Sequence, residues 1–372
     1  MRIETELINM GISVVLLAYK EAENLAFLLP KIKEMLDSLP EPYEILVIDT
    51  EKTLDNTPEV CKQFGARYIN QEFPGFGGAF KTGIKYAEMD KFLILDSDGS
   101  HDPKYIPAMY KKFTSENCDL VIGSRYTEGG ETNDAKSSII MSHILNTFFR
   151  ICLGIKAKDI STDYRLYHTD QLKKVGDKLE NVNYDILQEV LLRMKQNKPD
   201  LKIGEVPISF QKRIFGESKR RLIPFIIGYM KSLIRFTFIR YPILRNILLY
   251  GVFGAMAFVI DFAVTLGLKS TVMKDLPEAA SLAGNIVGFI FTFFTNTFWN
   301  FKAKGKFALR AASYGGITLL GMGISTACIH FLKSSVKFGL LKLLVLIFVS
   351  AIQFVLNKFI TYNEKIIPSD KK

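Results

Sequence analysis

Four cysteines in 372 residues, Cys61, Cys118, Cys152 and Cys328, stand far apart with no CxxC pair. That spacing excludes a disulfide framework or a thiolate metal site and points to free thiols in a reducing compartment. The chain lacks the third glycine of a dinucleotide fingerprint: Gly75-Phe76-Gly77 would need one where Phe80 stands. An EF-hand loop opening at Asp96 fails because its twelfth position, which must supply a bidentate glutamate, is Pro107. An aspartate-nucleophile phosphatase normally opens on its Asp-x-Asp-Gly, whereas about ninety organised residues come first here. The apolar run Ile12–Ala18 is too short for a signal peptide and reads as a first strand.

Long apolar runs and positive charge are what the chain has in excess. It is 48% hydrophobic with mean hydropathy +0.14 and net charge +10, and both excesses are unevenly placed. Residues up to about 220 look like a soluble α/β domain of mixed charge, and those after 240 run in long apolar segments. Between Lys202 and Arg245 ten Lys/Arg face two Glu, so the basic patch lies at the junction. The apolar half behind it makes anionic lipid or a lipid phosphate the expected partner, and not nucleic acid.

The chemistry gathers at Phe92–Pro103, FLILDSDGSHDP. A buried strand ends on two carboxylates, Asp96 and Asp98, beside Gly99. As turn chemistry this needs no function; as a ligand set, hard oxygens at a strand exit suit Mg²⁺ or Mn²⁺, which takes its remaining ligands from water and a substrate's phosphates. Strands are expected at 12–18, 45–48, 67–70, 92–95, 120–124 and 202–210. Helices are expected at 24–39, 57–64 with Thr57 as N-cap, from the glycine-rich turn through Met89, and at 137–152 and 185–195. The alternation predicts a parallel sheet with Tyr19, Asp49 and Asp96 at the carboxyl ends of its strands. The glycines of 73–83 either let a helix pack closely or serve a nucleotide. Ile140, Ile144, Phe148 and Ile151 form one stripe, facing either a core or a membrane interface. Asp185, Gln188 and Glu189 form the polar face of the next helix, which solvation alone would explain.

Residues 221–240 mix Ile, Phe and Leu with Lys231, Arg235 and Arg240, the pattern of an amphipathic helix in the headgroup plane. Four spans of about twenty residues are expected near 247–268, 279–301, 311–332 and 340–358. Lys302, Lys304, Lys306 and Arg310 put the middle loop on the cytoplasmic side, and with four spans both termini join it; Lys333, Lys337 and Lys342 on the opposite side weaken that bias. Asp261 should face the bundle or an internal cavity. Asn285, Asn296 and Asn300 fit helix–helix hydrogen bonding or a substrate path.

The first 220 residues resemble the family 2 glycosyltransferases that make polyprenyl-phosphate sugars, dolichol-phosphate mannose synthases in particular. The resemblance rests on VVLLAYKEAENL, ILVID, GFGGAFKTGIKYA, LILDSDGSHDP, VIGSRYTEGG, ISTDYRLYHTDQL and IGEVPISFQKRIFGESK, in that order. Residues 241–372 look like a GtrA-like four-helix membrane domain. The resemblance implies a GT-A type, Rossmann-like catalytic domain (1–220) on the cytoplasmic side of the cell membrane, then the interfacial region and the spans. It also implies metal-dependent, inverting transfer of a hexose from a nucleotide-sugar, mannose from GDP-mannose, to dolichyl or another polyprenyl phosphate.

Residue by residue, the resemblance gives Leu17, Tyr19, Glu21, Ile48, Asp49, Asp96 and Ser97 to the nucleotide, and Asp96, Asp98 and Ser100 to the metal. Arg125, Arg213 and Lys219 match basic residues around the diphosphate and the acceptor phosphate, and with Asp98 they are the expected catalytic set; for Arg213 and Lys219 a generic lipid-facing patch is the plainer account. The family's Pro-Thr-Tyr-Asn-Glu is Leu17-Ala18-Tyr19-Lys20-Glu21 here, and its Asp-Asp is Asp49-Thr50 with one extra residue before Asp55. Both departures fall where base and ribose would bind, which leaves UDP-glucose or another UDP-sugar as an alternative donor. Ser138 and Ile139 replace basic residues of relatives, while Ser142 and Asn146 keep the pattern. A lipid-linked-sugar translocase or scaffold with an inactive soluble domain is the alternative from another class, and the intact Asp96/Asp98 pair argues against it.

Overall fold

The structure is a computed structural model that describes residues 9–133, 136–216, 222–332 and 338–368. Two compact units divide the chain, Met1–Arg240 and Tyr241–Lys372.

In the first unit, alternating apolar runs build a seven-stranded sheet in the order β3-β2-β1-β4-β7-β5-β8. The strands are β1 Asn9–Leu17, β2 Tyr43–Asp49, β3 Arg67–Asn70, β4 Met89–Asp96, β5 Leu120–Ser124, β7 Arg165–His168 and β8 Ile203–Pro207; the short β6 Glu131–Thr132 and β9 Ser209–Phe210 pair separately. One face of the sheet is covered by α1 Ala22–Asp37, α2 Thr57–Phe64 and α4 Ile106–Ser115, the other by α3 Gly75–Tyr86, α5 Lys136–Leu153, α6 Thr169–Gly176, α7 Ile186–Asn197 and α8 Leu222–Arg240. Val14 and Leu16 turn to the first cover and Val15 to the second, so period-2 alternation along β1 fills two cores at once. This is the expected Rossmann-like, GT-A type domain.

Four details differ from expectation. The sheet is not wholly parallel, because β7 runs antiparallel between β4 and β5. Helix α3 stops at Tyr86, and Met89 opens β4. Thr57 is the first helical residue and not the cap; Asp55 Oδ1 accepts from both its N–H and its hydroxyl. Asp185, Gln188 and Glu189 are buried and not solvated: Gln188 donates to the Ile160 carbonyl, and Glu189 accepts from the N–H groups of Glu180 and Asn181.

The second unit holds α9 Pro242–Ser270, α10 Pro277–Thr295, α11 Phe307–Leu332 and α12 Phe338–Leu356. Helices α10 and α12 end in π-helical turns, Asn296–Asn300 and Asn357–Thr361. All four helices are long and apolar enough to cross a membrane, and the chain is an integral membrane protein. Phe258, Leu319 and Leu346 point outward while polar Asn296, Thr297, Asn300 and Thr361 are buried, the inversion that a lipid solvent selects. Asp261 lies against Gly284 of α10 and accepts from Thr265 Oγ1 at 3.2 Å, so it faces a helix neighbour. Asn296 and Asn300 hydrogen-bond within the bundle, and Asn285 is exposed and bonds its own helix. Arg310 is not a loop charge: it is buried inside α11.

Candidate active site

The carboxylates leave the sheet where β1 and β4 end together, because Ser97 Oγ donates to the Leu17 carbonyl at 2.6 Å and fixes the two strand ends. Asp98 Oδ1 accepts from the Ser100 N–H at 3.0 Å, and Ser100 Oγ donates to Asp96 Oδ2 at 3.2 Å. Asp96, Asp98 and Ser100 are therefore one constellation, as the sequence suggests. Gly99 makes the turn possible: its φ is +80°, and a Cβ there would lie 2.4 Å from Ile214 Cδ1. Ile214 belongs to a strap, residues 209–216, that crosses the turn. The Ile214 and Gln211 N–H groups donate to the carbonyls of Asp98 and Ser100, and the Phe215 N–H donates to Asn24 Oδ1.

Two further groups, which the sequence reading did not single out, meet Asp96 from behind. His101 is buried; its Nδ1 accepts from the Asp96 N–H at 3.1 Å and its Nε2 lies 3.2 Å from Thr162 Oγ1, so the ring is the neutral Nε2–H tautomer. Its Nδ1 also lies 3.4 Å from Asp96 Oδ2 and 3.6 Å from Asp163 Oδ1. Burial lowers the His101 pKa despite Asp96. Burial, then the neighbouring Asp96, raises that of Asp163 well above the carboxylate range. Asp96, His101 and Asp163 each offer a ligand atom within 4.8 Å of the others. The Nδ1 lone pair is engaged by the Asp96 N–H, so His101 orients Asp96, and the convergent carboxyl oxygens of Asp96 and Asp163 are the donors that fit a hard divalent cation. The available signal for His101 was its place directly after the Asp-Ser-Asp-Gly-Ser turn; Asp163 lies some sixty residues on and only the fold brings it in.

The two described arginines of the expected set have different carboxylate partners. Arg213 Nη2 donates to both oxygens of Glu21, at 2.8 and 3.0 Å, and its Nε donates to the Phe215 carbonyl at 2.9 Å, which ties the strap to the β1–α1 connection. Arg125 grips Asp159 bidentately, at 2.7 and 3.0 Å, and also donates to Ser161 Oγ. Burial would push Asp159 up, but the Arg125 guanidinium holds it below the usual carboxylate range. Ser142 and Asn146 of α5 close on the same Ser161. The Phe210 ring lies between His101 and Arg125, 5.2 Å from the imidazole and 5.3 Å from the guanidinium carbon. Lys219 lies outside the described residues.

At the strand exits expected to meet the nucleotide, Tyr19 is exposed just before Lys20, whose φ is +57°. Ile48 accepts from the Ala18 N–H, holding β1 to β2 where both exit. Asp49 is buried, with Oδ1 accepting from the Thr50 N–H and Oδ2 from the Tyr68 hydroxyl, and burial raises its pKa. The extra residue before Asp55 is absorbed by a loop that lets Asp55 Oδ2 accept the Ala22 N–H at the start of α1. The glycine-rich turn serves packing: the Gly77 N–H donates to the Val182 carbonyl, and a Cβ there would lie 2.4 Å from the Asn181 carbonyl oxygen.

The stripe on α5 faces outward, with Ile140 61%, Ile144 45%, Phe148 55% and Ile151 69% exposed, while Leu145, Phe149 and Leu153 point into the core. Met230 and Ile234 of α8, which packs beside α5, are exposed as well. Removing one such side chain from water is worth about 1.5–3 kcal/mol, and a contiguous group of them marks a contact surface.

Comparison with known proteins gives a consistent picture. Residues 13–176 match the model of glycosyl transferase family 2 and residues 249–362 that of the GtrA/DPMS transmembrane domain. The chain is 25% identical over 374 residues to a dolichol-phosphate mannosyltransferase of Pyrococcus furiosus, covering 95% of this chain and 99% of that one. It is 30% identical over 221 residues to an undecaprenyl-phosphate mannosyltransferase of Micrococcus luteus, covering 56% of this chain and 87% of that one. Among solved structures, glucosyl-3-phosphoglycerate synthase of Mycobacterium tuberculosis superposes with a TM-score of 0.49 at 19% identity over 62% of this chain and 78% of that one.

Proposed function

The chain belongs to glycosyl transferase family 2, and from that premise we propose that it transfers mannose from GDP-mannose to dolichyl or another polyprenyl phosphate in the cell membrane. The observation that carries this reading is the Asp96/Asp98/Ser100 constellation under an arginine-bearing strap, a place built for two anionic phosphates. The acceptor phosphate is already ionised near neutral pH, so its oxygen needs positioning more than a base. It attacks the anomeric carbon, the bond from that carbon to the nucleoside diphosphate breaks with its electron pair leaving on the diphosphate, and the centre inverts. Arg213 serves the acceptor phosphate and the developing charge, and Arg125, set by Asp159, the diphosphate. Asp96, Asp98 and Ser100 would hold Mg²⁺ or Mn²⁺, which would supply positive charge against the leaving diphosphate, with Asp163 and His101 packed behind Asp96.

The outward stripe of α5 supports a catalytic unit that lies on a membrane. Lys302, Lys304 and Lys306 support a cytoplasmic loop between the second and third spans, and counting spans then puts everything before the first on that side.

The test is transfer of radiolabelled sugar to dolichyl phosphate by the purified full-length protein with Mn²⁺, offering GDP-mannose and UDP-glucose in parallel. Label from GDP-mannose alone is expected. Label from UDP-glucose alone would reassign the donor, and transfer from neither would overturn the proposal.

The His101 geometry gives a metal-binding prediction. In His101→Asn the amide oxygen takes the place of Nδ1 and can still accept from the Asp96 N–H; in His101→Gln only the Nε2 position is kept. Mn²⁺ titrated into the full-length protein and followed by electron paramagnetic resonance should bind His101→Asn within about threefold of the parent and His101→Gln about tenfold more weakly. Equal binding by both variants would show that the Asp96 N–H bond does not shape the site.

A further inference from the structure

Helices α9 and α10 form one hairpin of the membrane unit and α11 and α12 another, and the two end alike. Phe293, Asn296, Phe298, Asn300 and Phe301 recur 61 residues later as Phe354, Asn357, Phe359, Thr361 and Tyr362. In both places the asparagine opens a π-helical turn, an uncommon geometry that helical propensity alone rarely places twice. Each hairpin also starts alike, with Leu244-Arg245 before Tyr250-Gly251 and Leu309-Arg310 before Tyr314-Gly315.

The contacts repeat as well as the residues. Arg245 donates to the carbonyls of Trp299 and Asn300, and Arg310 to those of Thr361 and Ile367, so each hairpin's arginine closes the open carbonyl end of its own second helix. Two further sets of contacts cross between hairpins reciprocally. Asn296 Nδ2 donates to the Tyr314 hydroxyl and Asn357 Nδ2 to the Tyr250 hydroxyl. The Tyr314 ring packs at 5.8 Å on Phe293, and the Tyr250 ring at 5.5 Å on Phe354. At the centre one pair of counterparts meets: Phe301 stacks on Tyr362 with centroids 4.3 Å apart and planes 11° apart. Residues that touch their own counterparts mark a two-fold axis, the mark of an isologous interface.

We infer that the membrane unit is one helical hairpin present twice, and that the Tyr–Phe–Asn face at the end of each hairpin is a self-recognition surface whose partner is a copy of that hairpin. Such a surface suits lipid, where burial of apolar area drives little association and paired polar groups with close ring packing must specify it. Both copies start and end on the same side of the membrane, so the symmetry axis runs along the membrane normal, as in a parallel repeat. The inference concerns the membrane unit alone and stands whichever donor the catalytic unit takes.

Thermal unfolding of the full-length protein in detergent tests it. Asn296→Leu and Asn357→Leu should lower the melting temperature by matching amounts, about 2–4 °C each, and exposed Asn285→Leu by less than about 1 °C. Tyr314→Phe and Tyr250→Phe, which each remove a single oxygen, should match in the same way and carry the comparison if a leucine variant does not fold. In double mutants, the crossed pairs Asn296/Tyr314 and Asn357/Tyr250 should couple equally, and at least twice as strongly as the same-hairpin pairs Asn296/Tyr250 and Asn357/Tyr314. Counterparts that differ by more than about threefold, or same-hairpin pairs that couple as strongly as crossed ones, would overturn the duplication.

Discussion

Asp98→Asn should lower sugar transfer by about 10³-fold while leaving the melting temperature unchanged within a degree. The amide keeps an oxygen for the Ser100 N–H bond, so the turn over Gly99 survives. What is lost is one negative charge at a site where two carboxylates and a serine converge. Removing a charged cation ligand forfeits several kcal/mol of transition-state stabilisation, and about 4 kcal/mol corresponds to that factor. Asp98→Ala should show the same loss together with a looser turn. Initial rates and unfolding curves on one preparation decide the matter: an asparagine variant with more than a tenth of the parent rate would show that the charge is not needed and the assignment is wrong.

Arg213→Ala should lower kcat/KM for the lipid phosphate by about 10²- to 10³-fold, with the donor KM changed by less than about threefold. Arg213 is one of two described cations, with Lys212, on the strap that crosses the Asp98 turn, and its guanidinium is set by Glu21 and by the Phe215 carbonyl. Without it the nearly buried Glu21 carboxylate loses its cation, which loosens the strap as well as removing a phosphate-binding fork. Arg213→Lys should recover less than a tenth of the loss, because an ammonium cannot reproduce the planar two-point grip. If donor KM rises instead and the acceptor parameters hold, the strap belongs to the donor side.

Much of this was legible in the chain because the residues concerned act locally. A strand ending in Asp-Ser-Asp-Gly declares its own turn, and α2, β3 and β5 lie at the expected 57–64, 67–70 and 120–124. What was not legible depends on neighbours distant in sequence. The antiparallel β7 carries Arg165, which reads as a surface residue yet is fully buried, with its guanidinium spent on the carbonyls of Ile160, Thr162 and Leu187. Gln188 and Glu189 look like a solvated face for the same reason: Gln188 bonds the distant Ile160 carbonyl, and Glu189 adds the Glu180 and Asn181 N–H groups to its ion pairs with Arg193 and Arg235. Periodicity found the stripe on α5 but could not say which way it turned, since spacing defines a face and only packing decides what meets it. His101 and Asp163 come from two loops sixty-odd residues apart, and their joint meaning exists only once β7 has been slotted beside β4.

The outward stripe of α5 changes what a concentration means for this protein. Under the proposed function, a catalytic unit resting by the exposed Ile140, Ile144, Phe148 and Ile151 on a lipid sheet would search for a lipid-dissolved acceptor in two dimensions. The quantity that sets its encounter rate is then the mole fraction of acceptor in the sheet, not the amount per litre of buffer. Adding inert lipid or detergent at fixed total acceptor dilutes the surface and slows the reaction with no inhibitor present, while the water-borne donor keeps its ordinary saturation curve.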